Sequence, residues 1–431
     1  MMSRKQASGR GDGYLPRVAD ELLANKLKTS GAVHIKGPKW CGKTATAQRL
    51  ATSAVYFQDP DKGPSLLELA SSKPSVLLDG PEPRLLDEWQ MAPQMWDAVR
   101  YAIDRGHGRG RFILTGSATP RRAGQGPVHS GVGRIAKLYM RTMTLYESGE
   151  STGQVSLRAL FEGADDIAGI SELDIEDIAF VTCRGGWPEA VIENDDEVAL
   201  GMARDYVTEL LDSDIDEMDG FARNKSWMRS ILRSYSRNIS SEASLATIMN
   251  DMQGEPPSED TVASYVDALR RACVIEDLEA WNPRLRSKTA VRTSPTRHFT
   301  DQSIAAAMLG ATPSKLLYDF ETFGLLFESM CIRDLRVYTE ALGGSVFHYR
   351  DKTGLEADAV LSLNDGRWAL VEVKLGTRLV DEAAAHLKKL AARVDCDREG
   401  TPVFLMVLTA SPAAYRREDG VLVVPLATLA P

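Results

Sequence analysis

The stretch GPKWCGKTATA, residues 37–47, decides how this chain is read. An apolar run, GAVHIKG (31–37), leads into it, and KTATAQRLAT (43–52) after it has helical character. Strand, then G-x-x-x-x-G-K-[ST], then helix is the context that a phosphate-binding loop requires. Gly37 and Gly42 let the backbone curl so that amide N–H groups turn inward, and the helix N-terminus adds partial positive charge. Gly37, Pro38, Lys39, Trp40, Cys41, Gly42, Lys43, Thr44 and Ala45 are therefore expected to cradle the phosphates of ATP. Lys43 would meet the β- and γ-phosphates, and Thr44 would hold Mg2+ through its hydroxyl. Trp40 and Cys41 are bulky for such a loop, but only backbone amides need to face the phosphates.

Hydrolysis also needs acids on a neighbouring strand. RLLDEWQ (84–90) offers Asp87 to hold Mg2+ through water and Glu88 to orient or deprotonate the attacking water. SVLLDG (75–80), ending at Asp79, competes as an apolar run closed by an acid. Gly80 and Pro81 follow it without a second carboxylate, so the pair Asp87 and Glu88 is preferred. A third strand, RFILTGS (111–117), brings Thr115 and Ser117, whose hydroxyls would either sit between water and γ-phosphate or simply cap the strand. In HSGVGRIAKLYMRTMTLYE (129–147), Arg134 and Arg141 are the candidates for a cation at the γ-phosphate, Arg134 within one subunit or across an interface between copies.

Bulk properties bound the rest. A chain of 431 residues suggests two or three domains. The formal net charge of -9 means that any nucleic-acid contact must come from a local basic patch. Five scattered cysteines without a C-x-x-C pair fit reduced thiols in a cytoplasmic protein, and argue against a disulfide framework or structural zinc. No apolar run approaches the roughly 18 residues of a membrane span. Residues 1–13 are polar and Gly-rich and read as a mobile tail.

Several further pieces occur in order: YLPRVADELL (14–23), LLDEWQMAP (85–93), TGSATP (115–120), CRGGWPEA (183–190) and LVEVKLG (370–376). Together with the loop they resemble a widespread group of uncharacterised prokaryotic AAA-type P-loop ATPases that carry a C-terminal domain of unknown function. The resemblance runs from about residue 14 to 410. It implies an α/β protein with a P-loop AAA-type ATPase domain, a winged-helix middle segment and a PD-(D/E)xK nuclease-like C-terminal domain. The expected divisions are a tail at 1–13, the ATPase domain at 14–145, a helical lid or linker at 146–222, the winged-helix-like part at 223–300 and the nuclease-like part at 301–431.

The middle segment changes in charge. From Gly220 to Ser241 there is no acid, and Lys225, Arg229, Arg233 and Arg237 fall four apart, on one helical stripe. Arg284, Arg286, Lys288 and Arg292 lie in a loop between CVIEDLEAW (273–281) and RHFTD (297–301). Three helices and a hairpin is the order of a winged helix. The helix around Ser264, which would enter the major groove, carries Glu259, Asp260 and Asp267. Phosphate-led contact with DNA through Lys225, Arg229, Arg233, Arg284 and Arg286 is thus expected rather than base readout. The alternative is a structural module whose stripe is answered by the acidic DSDIDEMD (212–219).

Near the C-terminus, LEADAVLSL (355–363), NDG (364–366) and RWALVEVKL (367–375) read as a β-hairpin. With a three-residue loop, Leu363 faces Arg367, Asp358 faces Glu372 and Lys374 faces Glu356. Like charges directly opposite are unfavourable, so a Mg2+ between Asp358 and Glu372 would explain them. An acid followed by E-x-K on a hairpin is similar to the PD-(D/E)xK nuclease signature. That resemblance implies metal ligation by Asp358 and Glu372, help from Glu328 on the preceding helix, and Lys374 activating water. The reading that follows is ATP binding and slow Mg2+-dependent hydrolysis that controls a nuclease-like domain acting on DNA. The alternative is an ATP-dependent switch that binds an unknown protein partner, using an inactive nuclease fold as a docking surface. Assembly into a homo-oligomer is compatible with either.

Overall fold

The computed structural model describes residues 13–106, 108–116, 132–214, 223–252, 254, 256–282, 294–351, 354–394 and 400–431. Nearly all of the expected tail, Ser117, and the basic loop residues Arg284, Arg286, Lys288 and Arg292 lie outside these.

The amino-terminal part is built on five parallel strands: β1 (Ala32–Lys36), β2 (Ser53–Tyr56), β3 (Arg84–Asp87), β4 (Phe112–Gly116) and β5 (Ile135–Tyr139). Their order is β2-β3-β4-β1-β5, with Ala32 level with both Phe112 and Ile135. A parallel sheet is covered on both faces, which is why its strands read as apolar runs. Alternate residues serve the two faces. Leu85 and Ile113 enter a core with Leu23 of α1 (Val18–Thr29), while Leu86 and Leu114 enter a second core with Met95 of α4 (Gln94–Gly106). Between them in sequence come α2 (Lys43–Gln48) and α3 (Gly63–Ser72).

The remaining strands are β6 (Val155–Ser156), β7 (Gly169–Ile170), β8 (Gly344–Arg350), β9 (Glu356–Leu363), β10 (Trp368–Lys374), β11 (Leu405–Thr409), β12 (Ala413–Arg416), β13 (Leu422–Pro425) and β14 (Leu429–Ala430). Seven of them form one sheet in the order β7-β12-β13-β11-β10-β9-β8, and β6 pairs in parallel with β14. The long helix Phe320–Ala341 precedes this sheet, and the helix Val380–Ala391 is the crossover that lets β10 and β11 run parallel.

The middle segment is helical. Lys225–Arg237, Leu245–Asn250 and Glu259–Arg271 begin on side-chain caps from Asn224, Ser244 and Ser258. They are followed by antiparallel bridges Ile275 to Phe299 and Leu278 to Thr296. The C-terminal sheet keeps a core on one face, where Leu355, Val360, Leu370, Val407 and Val423 pack with Val380, Leu387 and Leu390 of the crossover helix, but its other face is shared with the middle segment. One continuous cluster of buried residues runs from Leu145 and Trp187 through Ile231, Leu269 and Phe299 to Phe327, Leu361 and Leu429. The divisions read at 222 and 300 are therefore not breaks in packing. A hydrophobic period marks which face of an element is buried, but not which partner buries it.

Candidate functional site

The loop after β1 has no room for a side chain at its first residue. A Cβ on Gly37 would lie 2.1 Å from the Met140 carbonyl oxygen. Trp40 has φ 63° and Gly42 φ 94°, the left-handed values that let successive amides point to one side. Cys41 turns inward and is fully buried, while Trp40 turns outward and stays 46% exposed, its ring edge-on to Tyr206. Pro38 is buried, Lys39 half-buried and Ala45 exposed. Lys43 is 5% exposed and curls over the loop to donate to the Pro38 carbonyl at 2.7 Å.

The strand-borne acid is Asp87, at the end of β3 and buried. Asp79, its competitor, follows a tight 3-10 turn over Pro74–Leu78 and is exposed, so SVLLDG is not a strand of the sheet. Asp87 Oδ1 accepts from Thr44 Oγ1 at 2.7 Å and from Thr115 Oγ1 at 2.6 Å. Thr115 in turn accepts from the Glu88 amide at 3.3 Å. Two strand ends, of β3 and β4, and the start of α2 after the loop are thus tied at one carboxylate. Mg2+ keeps several waters and takes one or two protein groups plus phosphate oxygens, which the hydroxyl of Thr44 and the carboxylate of Asp87 could supply.

Glu88 sits in the left-handed region at φ 54°, its side chain hydrogen-bonded by the Gln90 amide. Burial pushes its carboxyl above the ordinary value, Lys43 and Gln90 pull it back, and Asp87 adds to the rise. Behind it, Trp89 Nε1 donates to His34 Nε2 at 3.0 Å, and the rings of Trp89 and Trp96 flank the imidazole. Burial, aided by Lys36, pushes His34 down to about 3, so the ring stays neutral and can accept. His34 carries no motif signal and is recognisable only once β1 and β3 are seen on either side of β4, whereas Gln90 stands within LLDEWQMAP, two residues from the Glu88 it meets.

The two arginine candidates are differently placed. Arg134 precedes β5, at the end of the parallel sheet opposite the loop, where it pairs with exposed Asp104 at 2.8 Å. Within one chain it does not meet the phosphate site. Arg141 follows β5 at the loop's own end, but its guanidinium is bonded to Glu276 at 2.6 Å and to Glu340 at 3.0 Å. It joins the nucleotide-binding part to the middle and C-terminal segments rather than pointing into the loop.

CRGGWPEA is the second join. Gly185, at φ 77°, ends the helix Ile175–Arg184, and a Cβ on Gly186 would lie 2.0 Å from the Met143 carbonyl oxygen. Trp187 stacks on Tyr206, whose ring also meets Trp40, and Pro188 lies 3.5 Å from the place of a Gly42 Cβ. The motif is therefore packed against the back of the phosphate loop. The buried carboxylate of Asp301 closes the joint. Its Oδ2 accepts from Thr142 Oγ1 at 2.6 Å, the Gly186 amide at 2.9 Å and Arg333 Nη1 at 3.0 Å, and its Oδ1 from the Ser303 amide at 2.9 Å.

In the C-terminal hairpin the Leu363 amide donates to the Arg367 carbonyl, and Val371 pairs with Ala359, which places Asp358 level with Glu372. Asp358 Oδ2 accepts from the Val373 amide at 2.7 Å. Lys374, expected to face Glu356, turns instead to Glu372 at 3.0 Å and Asp358 at 3.8 Å, while Glu356 pairs with Arg350. His386, not anticipated, lies 3.8 Å from Glu372. Burial and then the charge of Asp358 push the Glu372 carboxyl up to about 8, and burial and Asp358 also raise Glu328. Among the described residues no group of three or more His, Cys, Asp and Glu side chains is gathered so as to hold a metal ion. The expected site of Asp358, Glu372 and Glu328 is thus not a ready-made cage.

The basic stripe is partly spent. Lys225 faces Asp212 at 3.7 Å and Arg237 binds Asp251 at 2.7 Å, while Arg229 and Arg233 are exposed.

Comparison with known proteins divides the chain in three. Residues 29–148 match a family model described as an AAA domain, and 175–315 and 323–429 match two domains of unknown function, DUF8612 and DUF4143. Uncharacterized protein Rv2008c of Mycobacterium tuberculosis and Uncharacterized protein Mb2031c of Mycobacterium bovis are each 23% identical over 364 residues, covering 83% of this chain and 73% of theirs. Among solved structures, the Walker-type ATPase PABY2304 of Pyrococcus abyssi is 12% identical and covers 70% of this chain and 97% of its own, with a TM-score of 0.43. The RuvB Holliday junction branch migration motor of Thermotoga maritima is 19% identical and covers 60% and 88%, with a TM-score of 0.26. The AAA match, on a parallel sheet with the phosphate loop at its carboxyl end, supports a P-loop nucleotide-binding domain of AAA type. Among the described residues no helix is long and apolar enough to cross a membrane.

Proposed function

We propose that this chain binds Mg-ATP, hydrolyses it slowly, and uses the nucleotide state to control its C-terminal domain. The observation that carries this reading is the convergence of the Thr44 and Thr115 hydroxyls on one carboxylate oxygen of Asp87, beside buried Lys43 and half-buried Glu88. Bound Mg2+ would neutralise charge on the β- and γ-phosphates. Lys43 would release the Pro38 carbonyl for a phosphate oxygen. Glu88, freed from Gln90, would orient the attacking water and accept its proton. Glu88→Gln keeps the shape but removes the base. It is expected to retain ATP affinity within about threefold while phosphate release falls by about 10²-fold or more. Phosphate release by Glu88→Gln at the wild-type rate would remove Glu88 from the chemistry.

The path to the C-terminal domain is the double joint at Arg141 and Asp301, which ties the exit of β5 to Glu276, Glu340 and Arg333. A second reading of that domain is favoured by Lys374, which bridges both hairpin acids as a counter-ion. In it the nuclease-like fold serves as a docking surface for a partner and not as a cleaving centre. DNA and RNA cleavage assays with Mn2+, with and without ATP, separate the two. Cleavage that is lost in Glu372→Ala, with ATP hydrolysis intact, supports an active centre; no cleavage and no Mn2+ binding supports the docking surface.

A further inference from the structure

We infer that Arg17, which lies outside the phosphate-loop motif, is a positioning residue that sets the loop for β-phosphate binding; the inference rests on the nucleotide-binding reading above. Arg17 is 7% exposed and stands just before α1. Its Nη1 donates to the Cys41 carbonyl at 2.9 Å and its Nη2 to the Arg141 carbonyl at 2.8 Å. Its Nε faces Glu147 Oε1 at 3.1 Å as an ion pair, out of hydrogen-bond alignment.

The guanidinium is itself held from several sides. Glu147 also accepts from the amides of Val18 and Thr144, at 2.8 and 2.9 Å. The Arg17 amide donates to Asp20, which accepts from the Tyr14 hydroxyl, and that hydroxyl also meets Thr46 of α2 at 2.8 Å. The segment 14–20 therefore grips both the loop and the helix that follows it.

The consequence lies in one peptide plane. In a trans peptide the carbonyl and the amide N–H point in opposite directions. Arg17 holds the Cys41 carbonyl toward α1, so the Gly42 N–H of the same peptide faces the other way, toward the concave side of the loop. Gly42 at φ 94° is free to flip, and nothing in its own side chain resists it. Arg17 supplies that resistance as a charge-assisted hydrogen bond in a buried setting. Its second bond, to the carbonyl of Arg141, ties the same setting to the residue that pairs with Glu276 and Glu340.

The test compares wild type, Arg17→Ala and Arg17→Lys in the full chain, using calorimetric binding of Mg-ATP, Mg-ADP and AMP together with steady-state hydrolysis. Arg17→Ala is expected to weaken ATP and ADP by about tenfold or more while AMP, which has no β-phosphate, changes less than about twofold. KM should rise with kcat nearly kept, and Arg17→Lys, which keeps one charged donor, should fall between. Millimolar guanidinium chloride should partly restore ADP binding to Arg17→Ala. Equal losses for all three nucleotides, or unchanged ADP affinity in both variants, would overturn the inference. If Arg17→Ala does not fold, the ADP-to-AMP ratio of Arg17→Lys decides alone. Failure of the wild-type chain to bind Mg-ATP would instead overturn the nucleotide-binding reading.

Discussion

Lys43→Ala is expected to abolish measurable ATP hydrolysis and to weaken nucleotide binding. Lys43 is the first residue of α2 and is almost fully buried against the loop it serves, its ammonium 2.7 Å from the Pro38 carbonyl. A phosphate oxygen arriving there would exchange a neutral acceptor for an anionic one in a low-dielectric setting, where a charge-assisted bond is roughly twice as strong. Removing the cation leaves the backbone amides to bind the phosphates, but nothing at that point offsets charge moving onto the β–γ bridge as the bond breaks. Loss of one preorganised electrostatic group commonly costs about 10²–10³-fold in kcat. Phosphate release under multiple turnover measures the first effect and calorimetry with Mg-ADP the second. Turnover near the wild-type rate would take Lys43 out of the phosphate site.

The second large effect is expected at Asp301, outside the phosphate loop. Asp301→Ala removes a fully buried carboxylate that four groups address, and it leaves the Arg333 guanidinium, 3% exposed, with Asp334 as its remaining acid. Breaking a buried ion pair by deleting one partner costs about 3–5 kcal/mol. Denaturant unfolding should show a loss of that size, and Asp301→Asn, whose amide oxygen still accepts, a smaller one. A change under about 1 kcal/mol in the alanine variant would mean that the joint adds little to stability. The pH dependence has a definite sign. Burial raises the Asp301 carboxyl, but Arg333 and the hydrogen bonds from Ser303, Thr142 and Gly186 outweigh it and hold the group below its ordinary value. A depressed carboxylate stabilises the fold above its unfolded value of about 3.9 and loses that contribution as pH falls through the folded value. Stability from this joint should therefore fade only in acid below about pH 4.

The parts of the fold that were legible in the sequence are those set by local geometry. The loop needs glycine at fixed offsets, and the hairpin register follows from one three-residue turn, so both could be counted. Asp87 could be preferred to Asp79 because Gly80 and Pro81 are poor strand continuations. The placement of Arg134 and Arg141 could not be read, because six residues of chain lie between them and a parallel strand carries one to the far end of the sheet. The roles of Arg17 and His34 were equally silent, since each acts on a partner far off in sequence that the fold brings close, while Gln90 meets Glu88 only two residues away. CRGGWPEA announced a sharp turn through its glycines and proline, but not that Gly186 presses on Met143 or that Asp301 receives its amide.

The short pairing of β6 with β14 has a kinetic consequence. Ser156 donates to the Pro431 carbonyl across 275 residues, and Ser151 to the Leu429 carbonyl across 278. Contacts of that span are late events, because a long loop must close before they repay its entropy. The parallel sheet with the phosphate loop closes its pairings between residues 32 and 139, so it can become ordered while the cluster that runs from Leu145 to Leu429 is still incomplete. Refolding should then show two phases. A nucleotide analogue should protect the strand amides of β1 and β4 from hydrogen exchange before those of β10 and β13 are protected, and the slower phase should be the one that docks the strand after residue 428 beside the one before residue 157.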